Sequence, residues 1–281
     1  MSEDAAVVLR AGRACLTVLP ASGGRASSLV VDGLELLAHH DDTPSGWGWF
    51  PMAPWPGRLA GNAVSWDGRS HPMPATHHQW AIHGRVYQSR WRVRAAEAAA
   101  VELGIELGTA AGDPWPWPCE VRARWQLTGT SLVTELEVVS HGDDFPAELG
   151  WHPWFRKVLD VGGPAELDLP STSMLVRGED YLPTGQRVTR GPGPYDDTFD
   201  LPGGEVGIHW PGALDLRCRT DCAYVVVFDH KPDALCVEPQ TGPPDWINRA
   251  PGVVSVGHPR VARATWTWSS PLSKAAGALQ A

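Results

Sequence analysis

The chain has no cysteine framework. Its five cysteines (Cys15, Cys119, Cys218, Cys222 and Cys236) are odd in number and scattered, and none sits in a Cys-x-x-Cys pair. This pattern argues against a disulfide scaffold and for reduced, buried thiols in a cytoplasmic protein. Basic residues are also in short supply. Lys and Arg total 23 against 32 Asp and Glu, a formal net charge of -9. Nucleic acid and anionic membrane both need a basic surface, so neither is expected as a partner. No apolar run is long enough to span a bilayer, and the acidic opening Met1-Ser2-Glu3-Asp4 lacks a signal-peptide core. Metal signatures are missing as well. His39-His40-Asp41-Asp42 and His77-His78 have neither His-Glu-x-x-His nor Cys/His ligand spacing. Both read as solvated loops, and no metal or cofactor is expected. With no linker, no fixed-period repeat and no sustained helical spacing, the economical reading is one all-β domain over residues 1–281.

What the chain does have is core material in strand-sized pieces. Hydrophobic residues make up 43% of its 281 positions, and 15 of them are tryptophan. Most of those rings are expected in the core. A few are expected to line a cleft, where an indole covers the C–H face of a sugar and leaves its N–H for a hydroxyl. Residues 5–10, 14–19 and 27–31 are short, Val- and Leu-rich and punctuated by glycine. Residues 64–69 read as a strand entering a hairpin turn, and 91–96 with 100–107 as a strand pair. Val121, Ala123, Trp125 and Leu127 alternate with polar residues, as do Leu132, Thr134, Leu136 and Val138 across the turn Thr128-Gly129-Thr130. So short a connection requires an antiparallel pair. Further strands are read at 214–218, 223–229 and 262–268, while 162–193 reads as a looser segment and the tail from Ser270 as frayed or a short helix.

Chemistry gathers in a few places. Residues 43–61 form a long Pro/Gly/Trp segment, too broken for a strand and too aromatic for a linker, which suits a binding loop. Arg58 within it offers forked donors for hydroxyls or carboxylates, or a surface ion pair. His83 precedes Gly84 and Arg85. His152 stands between Trp151 and Trp154 and before Pro153, where burial lowers an imidazole pKa below about 6.5 unless a carboxylate opposes it. Asp196 and Asp197 place two carboxylates on a turn. Glu238 follows the short strand 235–237 and precedes Gly242-Pro243-Pro244, which cannot continue a ladder. A carboxylate at a strand end suits a general base, though from this window alone a structural ion pair or turn cap is the more common use.

Taken in order, these pieces resemble a known family. Ala-Ile-His-Gly (81–84), Gly-Trp-His-Pro-Trp-Phe (150–155) and Val-Glu-Pro-Gln-Thr-Gly-Pro-Pro-Asp-Trp-Ile-Asn (237–248) share their order with the aldose 1-epimerases, or galactose mutarotases. Pro-Trp-Pro-Gly-Arg (54–58) upstream and Tyr-Asp-Asp-Thr-Phe (195–199) complete the set. The resemblance covers most of the chain and implies a large antiparallel β-sandwich. It also implies roles: Glu238 as catalytic base, His152 as catalytic acid, and His83 as a second active-site histidine. Arg58 and Asp196 would hold sugar hydroxyls, with Asp197 as the fallback in register, and Trp154 and Gln240 would complete the substrate contacts. Two departures stand out: Gly57 where relatives often have Asn, and Arg85 where many are small or apolar. The implied reaction interconverts the α- and β-anomers of a free aldohexose by acid–base ring opening. A carboxylate of free pKa about 4.3 is ionised at pH 7 and takes the first proton. No cofactor is implied, the partner is a monosaccharide, and the assembly is a monomer or homodimer. Three rivals remain. One is a hexose 6-phosphate epimerase using Arg85 or Arg58 against phosphate. Another is a non-catalytic sugar-binding or sensing protein. The third is a glycosidase built on Asp196 and Glu238.

Overall fold

The computed structural model describes residues 5–270 and is built from two large antiparallel sheets. The larger has 11 strands. From one edge it runs Val7–Ala11, Ala14–Leu19, Arg25–Val31, Trp49–Met52 and Gly150–Arg156, then Ala234–Gln240, Tyr224–Phe228, Asp196–Asp200, Ser173–Arg177 and Pro183–Thr189. Leu34–Glu35 pairs beside Arg25–Val31. The second sheet has eight strands. Its order is Glu166–Asp168, Glu205–Trp210, Leu214–Thr220, Arg260–Ser269, Ser131–Ser140, Cys119–Leu127, Ala100–Leu107 and Arg92–Ala96. Every ladder within the two sheets is antiparallel. Helical structure among the described residues is confined to three 3-10 turns of three residues. No helix is long and apolar enough to cross a membrane.

Period-two alternation decides what faces what. In Cys119–Leu127 the predicted inward set Val121, Ala123, Trp125 and Leu127 is buried, and Leu127 pairs with Leu132 across the turn. The sheets meet on tryptophan. Trp49 and Trp151 of the larger sheet pack edge-on against Trp125 of the smaller at 5.6 and 4.8 Å between ring centres. Trp49 also meets Trp266 at 5.0 Å. Edge-to-face contacts of this kind add roughly 0.5–1.5 kcal/mol each beyond area burial.

Because Trp151, Pro153 and Phe155 face that core, Gly150, His152 and Trp154 face the opposite side of the same sheet. There a second, smaller apolar cluster forms from Ala38, Phe50, Met52, Tyr87, Trp154, Ala234 and Cys236. The chain thus buries both faces of its central strands, and the site lies over the second face.

The structure corrects four readings of the sequence. Residues 43–61 contain a strand, Trp49–Met52, buried throughout. The segment 162–193 contributes three strands, two of them forming the hairpin Ser173–Arg177 with Pro183–Thr189 at the sheet edge. Asp196 and Asp197 begin a strand, Asp196–Asp200, and do not sit on a turn. Glu238 is not at a strand end: Ala234–Gln240 continues two residues past it, with Pro239 in register with Val225. The tail from 271 onward lies outside the described residues.

Candidate active site

Strand register assembles the site. Trp49–Met52 sets Phe50 opposite His152. The next ladder pairs Gly150 with Gln240 and Trp154 with Cys236, a register that sets His152 opposite Glu238. Between those two pairs lie Pro153 and Pro239, each without an amide donor to offer the ladder. Glu238 in turn pairs with Val226, and Val226 with Thr198. One row across five strands therefore reads Phe50, His152, Glu238, Val226, Thr198. The neighbouring row carries Trp154, Cys236, Phe228 and Asp196.

His152 Nε2 lies 3.3 Å from Glu238 Oε1, and both side chains are buried. The His152 ring stacks on Phe50 at 4.4 Å and meets His83 edge-on at 4.9 Å. Gln240 donates from Nε2 to Glu238 Oε2 at 3.1 Å. Burial and the nearby Asp196 carboxylate push the Glu238 carboxyl well above its usual range, against the opposing pull of Gln240 and Arg58. Burial also lowers His152, to about 3, and lowers His83 well below its ordinary value, with His152 and Arg58 adding to it. Both directions oppose charge on the buried couple, against the expectation of a freely ionised Glu238.

His83 reaches this couple from a loop that is tightly tied down. Its Nδ1 accepts from the Gly57 amide at 3.3 Å, which assigns the proton to Nε2 and leaves that nitrogen a donor. His83 N donates to Gly57 O at 2.9 Å, and Leu59 N to Ala81 O at 3.1 Å, so Arg58 bridges Ile82. Gly84 is obligatory here. Its φ is +76, and a Cβ would fall 1.9 Å from the carbonyl oxygen of Ala53. Gly57 also has positive φ, +64, a region that Gly and Asn tolerate best. In this chain a Cβ at 57 would fall 2.7 Å from Pro244 Cγ, so the departure from the relatives' Asn goes with the close approach of Pro244. Downstream, Asp245 Oδ1 accepts from Ala60 N at 3.0 Å and from Asn248 Nδ2 at 2.7 Å. This clamp fastens the segment after Glu238 to the loop carrying Arg58.

These elements enclose a cavity of about 250 Å³, a little below the roughly 300–1,000 Å³ of drug-sized sites. Glu238, His152, His83, Arg58, Asp196, Trp154 and Gln240 all line it, so the seven residues expected to act on or hold a sugar are brought to one place. Asp197 lines it too. Arg85 is not among the lining residues, which removes it as a phosphate contact. His40, Asp41 and His77 also line the cavity, from loops that are largely exposed, as read from the sequence. The Trp154 indole N–H is committed to Ser45 O at 2.7 Å and is not free for a sugar hydroxyl; only its ring face is.

Arg177 and Tyr181, which also line the cavity, escaped sequence reasoning. Arg177 ion-pairs with Asp196 across adjacent strands. Tyr181, at the tip of the edge hairpin, lies under both Arg58 and Arg177, 4.9 and 5.3 Å from the two guanidinium carbons. Burial pulls Arg58 down from its usual pKa, and the Asp196 carboxylate works against that. One trio among the described residues, His152, Cys236 and Glu238, has donor atoms within 4.8 Å of one another. Burial holds the Cys236 thiol well above its usual pKa, and a metal needs the thiolate.

The Glu238 shift has a consequence for stability. A carboxyl whose folded pKa is raised supports the fold fully below its unfolded pKa of about 4.3 and loses that support as pH rises toward the folded value. Glu238→Gln keeps the shape and removes the ionisation. It is expected to raise Tm at pH 8 by several degrees, since about 1 kcal/mol moves a protein of this size by roughly 2–4 °C, and to leave Tm at pH 4 nearly unchanged. Thermal unfolding at the two pH values checks this; equal shifts at both would contradict a raised Glu238.

Comparison with known proteins places this geometry. The profile of the aldose 1-epimerase family matches residues 5–247. A galactose mutarotase-like protein from Clostridium acetobutylicum superposes with a TM-score of 0.82 at 15% identity, over 94% of each chain. Galactose 1-epimerase from Lactobacillus acidophilus NCFM gives 0.75 at 15%, over 93% of this chain and 92% of its own. At such identities the likeness establishes the fold alone. Among curated proteins, the uncharacterised YphB of Escherichia coli is 26% identical over 110 residues, which span 38% of this chain and 36% of that protein.

Proposed function

We propose, on the footing that this chain belongs to the aldose 1-epimerase family, that it interconverts the α- and β-anomers of a free aldohexose. The observation that carries the reading is the His152–Glu238 contact of 3.3 Å on the floor of a monosaccharide-sized cavity.

The chemistry follows from one shared proton. At that separation the couple is either carboxyl plus imidazole, or carboxylate plus imidazolium. Burial favours the first. The second holds a base and an acid at once, each stronger than its free counterpart, because the Glu238 pKa is raised and the His152 pKa lowered. With the C1 hydroxyl at Glu238 and the ring oxygen at His152, Glu238 takes the hydroxyl proton while His152 gives its own to the ring oxygen. The C1–ring-oxygen bond breaks, the open-chain aldehyde forms, and the couple is left as carboxyl plus imidazole, its favoured form. Rotation about C1–C2 and the reverse transfers close the ring as the other anomer. No proton is gained or lost over the cycle.

The neighbours fit the same reading. His83 stays neutral and offers its Nε2 proton to a sugar oxygen. Arg58, Asp196 and Gln240 supply further polar contacts, and the Trp154 ring a flat apolar one. Asp196 is already committed to Arg177, which argues against its use as a glycosidase carboxylate. Polarimetry on fresh α-galactose, α-glucose and α-glucose 6-phosphate tests the proposal. Accelerated approach to equilibrium with a free sugar is expected. Acceleration with the phosphate alone would reassign the substrate, and tight binding without acceleration would make the protein a sugar binder.

A further inference from the structure

Arg25 is buried, at 2% exposure, yet among the described residues no carboxylate pairs with it. Arginine is almost never buried unpaired. Its guanidinium is satisfied by backbone carbonyls instead. Nε donates to Ser22 O at 2.9 Å, Nη1 to Trp47 O at 2.9 Å, and Nη2 to Pro44 O at 2.5 Å and Tyr87 O at 3.1 Å. The same group lies over the Trp47 ring at 4.2 Å and the Phe50 ring at 5.0 Å.

Each of these partners leads to the site. Pro44 and Trp47 bracket Ser45 and Gly46, which line the cavity, and Ser45 O receives the Trp154 indole N–H. Phe50 has the guanidinium on its ring and the His152 imidazole stacked 4.4 Å away, at an interplanar angle of 20°. Tyr87 packs on Phe50 at 5.3 Å and on His83 at 5.9 Å.

We propose that Arg25 is a positioning residue for the site: its fork fixes the 44–47 wall of the cavity, and through Phe50 it orients His152. The inference rests on the function proposed above. Its positive charge, set behind Phe50, also opposes protonation of His152. The other titratable groups around that ring are Glu238 and Cys236 on the adjacent strand, and His83 and Tyr87 on the facing loop. Arg58 and Asp196 lie further across the cavity. Burial is the larger cause of the lowered His152 pKa, and Arg25 adds to it.

Two substitutions separate charge from shape. Arg25→Met removes both. It is expected to weaken D-galactose binding at least tenfold, followed by tryptophan fluorescence, and to move the acid limb of the kcat/KM profile up by about one pH unit. Arg25→Lys keeps the charge but cannot reach four carbonyls; it is expected to weaken galactose binding while leaving the acid limb in place. Unchanged binding and an unchanged profile in folded Arg25→Met would overturn the proposal, as would identical behaviour of the two variants. A reading on the unaltered protein covers failure of the variants to fold. The Arg25 Nη–H protons should exchange slowly with solvent by NMR, and exchange as fast as an exposed arginine's would overturn the clamp. That reading needs no sugar. Failure there falls on Arg25, whereas absence of turnover in the unaltered protein falls on the function.

Discussion

Glu238→Gln is expected to lower kcat for anomer exchange by about 10²–10⁴, the span of a lost general base, with the fold intact. The substituent fits where the carboxyl was. An amide at 238 still offers an oxygen to Gln240 Nε2, which now donates to Glu238 Oε2 at 3.1 Å. It takes up no proton, so the C1 hydroxyl has no acceptor for its hydrogen. The effect belongs in kcat, with KM for galactose changed only a fewfold, because Arg58, Asp196 and Trp154 are untouched. Polarimetry measures it directly. Activity within a fewfold of the unaltered protein would remove Glu238 from the base role.

His152→Ala is expected to cost as much in kcat, again about 10²–10⁴, with sugar binding partly kept. In the proposed reaction the imidazole is the acid of the couple; it is also a packing element, stacked on Phe50 at 4.4 Å and tilted against Trp154 at 5.6 Å. Some weakening of KM is therefore expected alongside the kinetic loss. The acid stability should change too. A histidine whose folded pKa is lowered to about 3 supports the fold above its unfolded value of about 6.5, and loses that support as pH falls toward 3. Denaturation of His152→Ala should accordingly show a shallower loss of stability over that window. A variant with full activity, or with an acid profile identical to the parent's, would contradict the assignment.

Much of this site was legible in the chain because its residues sit in dense, unusual surroundings. Trp151-His152-Pro153-Trp154 and Glu238-Pro239-Gln240 announce themselves, and strand alternation put Val121 to Leu127 on the correct face. Arg177 did not stand out. Its partner Asp196 is set by the register of an edge hairpin whose outer strand, Pro183–Thr189, is almost wholly exposed, so it carries no apolar alternation to read. Asp196 and Asp197 looked like a turn because Asp disfavours strands. Pairing with Val227 and Phe228 overrode that propensity. Gly242-Pro243-Pro244 does lie beyond the strand, which nevertheless runs through Pro239 to Gln240, since a proline costs a ladder only one donor. Arg25 was invisible for a different reason: its partners are four carbonyls, and nothing in a string of residues signals a carbonyl cage. The histidine pairs at 39–40 and 77–78 lack metal-ligand spacing, but lining a cavity, as His40 and His77 do, requires no spacing at all.

The proposed reaction requires a proton-sharing couple that grips the two ends of a hemiacetal. The most direct measurement is a crystal structure of Glu238→Gln with D-galactose bound. The account predicts the C1 hydroxyl oxygen within hydrogen-bonding distance of the residue 238 amide and the ring oxygen within reach of His152 Nε2, beneath the Trp154 ring. A sugar bound with its reducing end turned toward the mouth of the cavity, away from both side chains, would contradict it.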